Sequence, residues 1–236
     1  MGGKLSKYNL GNQWKETNMF LRQLSKKVIT NWIIIEAFIL FCVLVALLIY
    51  PIFGQLGVWR ALITRIQMPN AGAPQPELWH GLSEVADIFW NNLKINIAVF
   101  LLGSVTYHWA VKTNLVIWLP LVNCIFYGIV IASIILKFGP EKGLSSMTVS
   151  LFPHGFVEDL SISASVTLAE SLNNVLLYRH GWEPAHTWLA LPPEALFVNK
   201  VTPRRMYWRV IAAFSIGVPI LTLVAASLEV FVSAGN

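Results

Sequence analysis

Residues 151–174 read LFPHGFVEDLSISASVTLAESLNN, and they hold the side chains best able to do chemistry in this chain. A Pro153-His154-Gly155 step, read as a helix break, precedes a small-residue stretch carrying Glu158, Asp159 and Glu170. On a helix an imidazole four residues before a carboxylate lies one turn from it, so His154 and Glu158 are natural partners. With Asp159, and with His180 or His186 brought round, such a group could ligate zinc and support hydrolysis inside a membrane. The spacing argues against that chemistry. The usual zinc helix carries two histidines four apart, and His154 has no such mate. No Gly-x-Ser-x-Gly elbow is present, and neither Cys42 nor Cys124 has the setting of a nucleophile. The expectation is a protein that is not an enzyme and carries no cofactor or metal. An intramembrane metallohydrolase is the least favoured alternative.

The elements that must hold these residues are set by composition. The chain has 236 residues, 56% of them hydrophobic and 12% charged. A soluble domain carries roughly 25% charged residues, so this chain cannot cover itself with polar surface. An integral membrane protein is expected. Ten tryptophans fit that class, because indole rings favour the membrane interface. The net charge of +5 is explained by loops facing anionic lipid, which leaves no separate basic surface for nucleic acid. Both cysteines lie within apolar runs and read as small buried hydrophobes. The opening Met1-Gly2-Gly3-Lys4-Leu5-Ser6 fits the myristoylation pattern, a loose match in a chain already anchored by its spans.

A crossing helix needs about 20 apolar residues. Five candidates appear, at 32–50, 92–110, 115–136, 156–177 and 210–232, the fourth being the least apolar. The stretch 143–152 is too short to cross and reads as an interfacial or re-entrant approach. Another interfacial helix is expected at 81–90. The fold class is therefore all-α, a polytopic bundle of about five membrane helices. Basic residues concentrate before the first span and between the fourth and fifth. With five spans these two segments share one side, and the positive-inside rule makes it cytoplasmic. The N-terminus is then cytoplasmic and the C-terminus outside, in a multi-pass protein of the cell membrane. Residues 1–31 read as a basic cytoplasmic or interfacial arm, and 32–236 as one transmembrane domain.

This topology places polar residues by depth. The fourth span enters from outside, so His154, Gly155, Glu158 and Asp159 lie near the outer face. The fifth span ends there, bringing Glu229 to similar depth, and the second begins there with Asn92. These residues are expected to converge in one polar cluster. Glu36, four residues into the first span, is expected near the inner end, in reach of Lys26 or Lys27. Along the fourth helix His154, Glu158, Ser161, Ser165 and Ala169 form one stripe of close-packing and hydrogen-bonding residues. Asn123 and Gly128, five apart in the third span, read as a helix-packing motif.

Four segments resemble the stage II sporulation protein M family, over roughly residues 91–236. They are Asn91-Asn92-Leu93-Lys94-Ile95-Asn96 before Gly103, Val122-Asn123-Cys124-Ile125-Phe126-Tyr127-Gly128, Pro153-His154-Gly155-Phe156-Val157-Glu158, and Ala225-Ala226-Ser227-Leu228-Glu229-Val230-Phe231. The Pro-His-Gly-x-x-Glu segment is the most specific. The chain departs from the family pattern at Cys124, where glycine is usual. It departs again at Asp159, the serines beyond it, Glu170 and Asn173-Asn174, where the family keeps its helix apolar. The resemblance implies a polytopic membrane protein. Its namesake is a scaffold for peptidoglycan-remodelling proteins in spore engulfment, but relatives also occur where no spore is made.

Two functions remain open at this point. One is a membrane scaffold or assembly subunit whose partners are the bilayer, other membrane or envelope proteins, and further copies of itself. The other is a transport or channel subunit for a small solute. Geometry separates them, because a path needs polar side chains joined across the membrane depth.

Overall fold

Long apolar runs make long helices, and they carry this chain. The computed structural model describes residues 3–53, 78–105, 118–141, 144, 152–181, 189–192, 196 and 202–233. Among these it is almost entirely helical, with no strand. The helices are α1 (Gly3–Phe53), α2 (Leu78–Val105), α3 (Trp118–Phe138), α4 (Phe152–Arg179) and α5 (Pro203–Leu228), the last running into a π-helical turn, Glu229–Ser233. Three described stretches are long and apolar enough to cross a membrane: Trp14–Ile52, Trp79–Ser104 and Pro203–Val232. The protein is therefore placed in a membrane. A shorter apolar run, Cys124–Phe138, lies on α3.

Helix ends explain some of the boundaries. At Gly139 the backbone turns left-handed (φ 84°) and its N–H closes on the Ile135 carbonyl at 2.9 Å, ending α3. Gly181 does the same for α4 at φ 77°. Such positive φ suits glycine, which carries no Cβ to clash. Pro203 occupies the first turn of α5, where its missing N–H costs nothing. The same rule corrects one expectation. Pro153, His154 and Gly155 do not break the chain ahead of a helix; they form the first turn of α4.

α4 is the axis of the assembly. It packs against α5 most extensively, then α2, then α1, while α3 packs mainly on α1. From Ser161 to Val175 every residue but Ile162 is buried. This enclosure is why α4 tolerates polar residues that lipid would reject. Its main core joins Leu168, Leu172 and Val175 to Val210 and Phe214 of α5, and to Phe20, Leu24 and Val28 of α1. Phe100 of α2 stacks on Phe214 with ring centroids 3.8 Å apart.

Contacts fix the helix directions. Ser163 bonds to Val28, while Gly155 and Asp159 share a cavity with Ile39 and Val43, so α1 and α4 run antiparallel. Asn92 meets Glu158 and Asn96 meets Ser165, so α2 and α4 run parallel. Val85 packs on Val230 and Phe100 on Phe214, so α2 and α5 oppose each other. Cys124 packs with Ile39 and Ala132 with Ala46, so α3 follows α1. α1, α3 and α5 thus run one way, and α2 and α4 the other.

Two expectations about segment boundaries differ from the structure. Residues 20–28 are not part of a surface-lying arm; Phe20, Leu24 and Val28 sit in the main core on a helix unbroken through residue 32. The amphipathic pattern read as interfacial is the stripe that packs on α4. Likewise, 81–90 is not a separate interfacial helix but the first turns of α2. The re-entrant approach at 143–152 and most of the outer loop at 51–91 lie outside the described residues.

Candidate functional site

The site is assembled where α2, α4 and α5 meet. Asn92 faces α4 and donates its Nδ2 hydrogen to Glu158 Oε1. The Glu229 carboxyl, in the π-helical turn after α5, lies within electrostatic reach of Glu158. Three residues that are 66 and 71 positions apart along the chain, Asn92, Glu158 and Glu229, are thereby brought to one end of the bundle. His154 stands one turn before Glu158, half-buried. Gly155 lines a neighbouring cavity, and a methyl placed on it would meet nothing within 4 Å.

Asp159 lies within electrostatic reach of Glu158 but faces a different neighbour. One position along α4 turns its side chain by about 100°, which points it towards α1. There it lines a cavity of about 170 Å³ with Glu36, Tyr127 and Phe156. The placement of Glu36 is the main correction to the sequence-based depths. Glu36 lies beside Asp159, not at the opposite end of the span among Lys26 and Lys27, and Lys26 is exposed. The cause is the helical arm. Because residues 16–36 of α1 run alongside α4 and α5, Glu36 is carried up to the acidic end. The Trp32 indole lies beside the Glu36 carboxyl, and both are partly enclosed. Trp32 also meets the Phe156 ring edge-on at 5.5 Å.

Below the acids a ladder of hydrogen bonds continues along α4. Asn96, 1% exposed, is its hub. Its Nδ2 donates to the Asn92 carbonyl at 3.1 Å, to Ser161 Oγ at 3.1 Å and to Thr222 Oγ1 at 3.4 Å. Its Oδ1 accepts from Ser165 Oγ at 2.7 Å. One amide thus ties α2, α4 and α5 together. The stripe expected from Glu158 through Ser161 to Ser165 is the face that meets it. A second ladder uses the α1-facing side. Ser163 Oγ donates to the Val28 carbonyl at 2.8 Å, and Asn31 Nδ2 donates to Thr167 Oγ1 at 2.8 Å and to the Leu189 carbonyl at 2.9 Å. The Leu191 N–H then closes on Ser171 Oγ at 3.1 Å. Glu170, Asn173 and Asn174 continue the buried polar column to the far end of α4.

Asn31, Thr222 and the 189–191 segment were missed in the sequence. Asn31 reads as juxtamembrane, and a lone threonine in an apolar span gives no signal until its partner is known. On α3, Gly128 is where the backbone of α1 comes close: a Cβ there would overlap Cys42 Cβ. The Asn123 side chain lies outside the described residues, as does His186. Among the described residues no three histidine, cysteine or acidic side chains are grouped to hold a metal. His180 sits past the C-terminal end of α4, opposite His154. At that end Glu16 of α1 bridges to Arg209 at 3.1 Å and Arg205 at 3.7 Å of α5.

The arrangement is that of a membrane helical bundle whose central helix is polar and enclosed, with carboxyl groups gathered at one end. The model of the stage II sporulation protein M family matches residues 37–234, and the chain belongs to that family. The match reaches back beyond Asn91 to include the apolar half of α1. No curated protein and no solved structure gives a significant match.

Proposed function

We propose that the protein is a multi-pass scaffold of the cell membrane, a non-enzymatic subunit that organises other membrane or envelope proteins. In this reading all five helices cross the bilayer, with the N-terminus cytoplasmic and the C-terminus outside. The alternation of helix directions and the basic residues at the Glu16–Arg209 end support that orientation. One observation carries the scaffold reading: the polar groups of α4 are bonded to one another and to backbone. Ser161, Ser163, Ser165, Thr167 and Ser171 all donate hydrogen bonds within the bundle. Groups so committed make a fixed frame, and a fixed frame suits the positioning of partners. Glu229 and Glu158, at the end of that frame, are the groups offered to them. The family name refers to sporulation.

The test is affinity purification of the full chain in mild detergent, with identification of what comes with it. Glu229→Gln is expected to weaken recovery of at least one partner while leaving the fold intact. Undiminished recovery of every partner from Glu229→Gln and Glu158→Gln would leave the acidic end without a recruiting role.

A transport reading is favoured by one specific feature. The buried polar column from Glu158 to Asn174 rises about 24 Å, most of the ~30 Å hydrocarbon thickness. Flux into proteoliposomes above that of empty vesicles, lost in Glu170→Gln, would support it. Flux equal to empty vesicles would exclude it for the solutes tried.

A further inference from the structure

α3 leans on α1 and stands away from α2 and α4, and the gap is a cavity of about 610 Å³. Its walls are apolar: Ile95, Val99 and Leu102 on α2, and Val122 and Phe126 on α3. Its floor is polar, formed by Glu158, Asn92 and Ser161. Ile95, Leu102, Val122 and Phe126 are each about half exposed or more, so the cavity opens sideways, where these helices face the bilayer. Tyr127 lies between this cavity and the smaller one that holds Glu36 and Asp159.

The floor decides the chemistry of an occupant. The Asn92 amide is already spent on Glu158, and Ser161 Oγ donates to the Glu158 carbonyl at 2.8 Å. The second oxygen of the Glu158 carboxylate is an acceptor, and the Glu229 carboxyl outside the cleft adds negative charge within its reach. The occupant that fits this carboxylate floor brings hydrogen-bond donors, preferably cationic, on an apolar body. Size decides between a lipid and a partner helix. A helix about 10 Å across fills roughly 420 Å³ per turn. The cavity holds less than two such turns, whereas ligand sites for small amphiphiles span about 300–1,000 Å³.

We infer that this cleft is a binding site for one aminophospholipid, its primary ammonium on Glu158 and one acyl chain between α2 and α3. The bilayer supplies the ligand at high local concentration, and the apolar walls replace its lipid neighbours. The inference does not rest on the scaffold reading, because it concerns the isolated chain and requires no protein partner.

The experiment is native mass spectrometry of the purified full chain. The protein is first equilibrated with mixed micelles of equal phosphatidylethanolamine and phosphatidylglycerol. The wild type is expected to retain one phosphatidylethanolamine per chain, favoured at least ten-fold over phosphatidylglycerol. Glu158→Gln keeps the shape of the floor and removes its charge, so the preference is expected to fall several-fold while a lipid can still enter. Leu102→Trp, at a half-exposed wall position that tolerates bulk, is expected to abolish retention. Lipid-free wild-type protein would overturn the inference, as would equal retention of both lipids. Unchanged preference in Glu158→Gln, or unchanged retention in Leu102→Trp, would also overturn it. So would a protein adduct in the cleft in place of lipid.

Discussion

Gly128 is the position where one methyl group should do most damage. α3 is held mainly by α1, and at Gly128 the two backbones approach so closely that an added Cβ overlaps Cys42 Cβ. The same Cβ would fall 3.0 Å from the Cys42 carbonyl carbon and 3.1 Å from Val43 N. Two of the three obstacles are backbone, so no rotamer change relieves them. In a membrane, helices associate through close packing of small residues and gain little from hydrophobic burial, so a forced separation is felt in full. Overpacking of this kind costs about 1–3 kcal/mol. That corresponds to roughly a 5- to 150-fold shift from the docked towards the undocked state. Gly128→Ala should therefore lower stability by that amount in reversible detergent unfolding followed by tryptophan fluorescence. Cys42→Gly alone should cost about 1 kcal/mol through helix propensity. In the double variant the worst overlap is gone, and the remaining contacts need shifts of only a few tenths of an ångström. The pair should thus be coupled by at least ~0.5 kcal/mol, the double variant being less destabilised than the two single changes together. Gly217→Ala is the control, since a methyl there meets nothing within 4 Å on an exposed face of α5. A Gly128→Ala protein as stable as wild type, or strictly additive effects, would refute the close-approach argument.

Three further outcomes are expected. Asn96→Ala removes three interhelical contacts, to Ser161, Thr222 and Ser165, and at about 0.6 kcal/mol each in a membrane bundle should cost about 2 kcal/mol in the same unfolding assay. Arg209→Ala leaves Glu16 with only the longer, more exposed Arg205 contact, so it should destabilise by up to ~1 kcal/mol, and the loss should shrink as salt is raised. Polarised infrared spectra of oriented bilayers, with α1 isotope-labelled, should report α1 tilted beyond the ordinary ~20°; a tilt at or below that would contradict the stagger of the two halves.

What the sequence disclosed followed from local rules. The apolar runs mark the helices, and the small residues Ser161 and Ser165 mark the face of α4 that another helix approaches. The Asn92–Glu158–Glu229 grouping also follows once helices are assumed to alternate in direction, because ends at equal depth must meet. What stayed hidden depended on tertiary enclosure. The basic stretch before Trp32 looks like a solvated arm because Phe20, Leu24 and Val28, spaced four apart, make only a narrow stripe. That stripe is nevertheless enough to lock a helix against α4. With the arm locked, Glu36 moves to the acidic end, which charge counting alone could not show. Asp159 stays within electrostatic reach of Glu158, but a helical step of about 100° turns it towards Glu36 and α1, a pairing that adjacency in the sequence does not show.

The register of α1 gives the acids their setting. Glu16 is level with the start of α5, and Glu36 is level with Asp159, so residues between them flank the apolar length of α5. Yet the most apolar part of α1 lies beyond Glu36 and pairs with α3, through Val43, Ala46 and Ala132. From Glu16 to Phe53 the helix rises about 56 Å, against a hydrocarbon layer of ~30 Å and a whole bilayer of ~40–45 Å. A tilt near 40° shortens that rise to about 43 Å, which the full bilayer can accommodate. Tilted in this way, Glu36, Asp159, Glu158 and Glu229 lie at the join between two staggered halves, α1 with α3 on one side and α2, α4 and α5 on the other. Carboxyls at such a join resist close packing, and the cleft between α3 and α4 is the consequence. Of the departures from the family pattern, Asp159 falls on this join, whereas Cys124 is buried between α1 and α3.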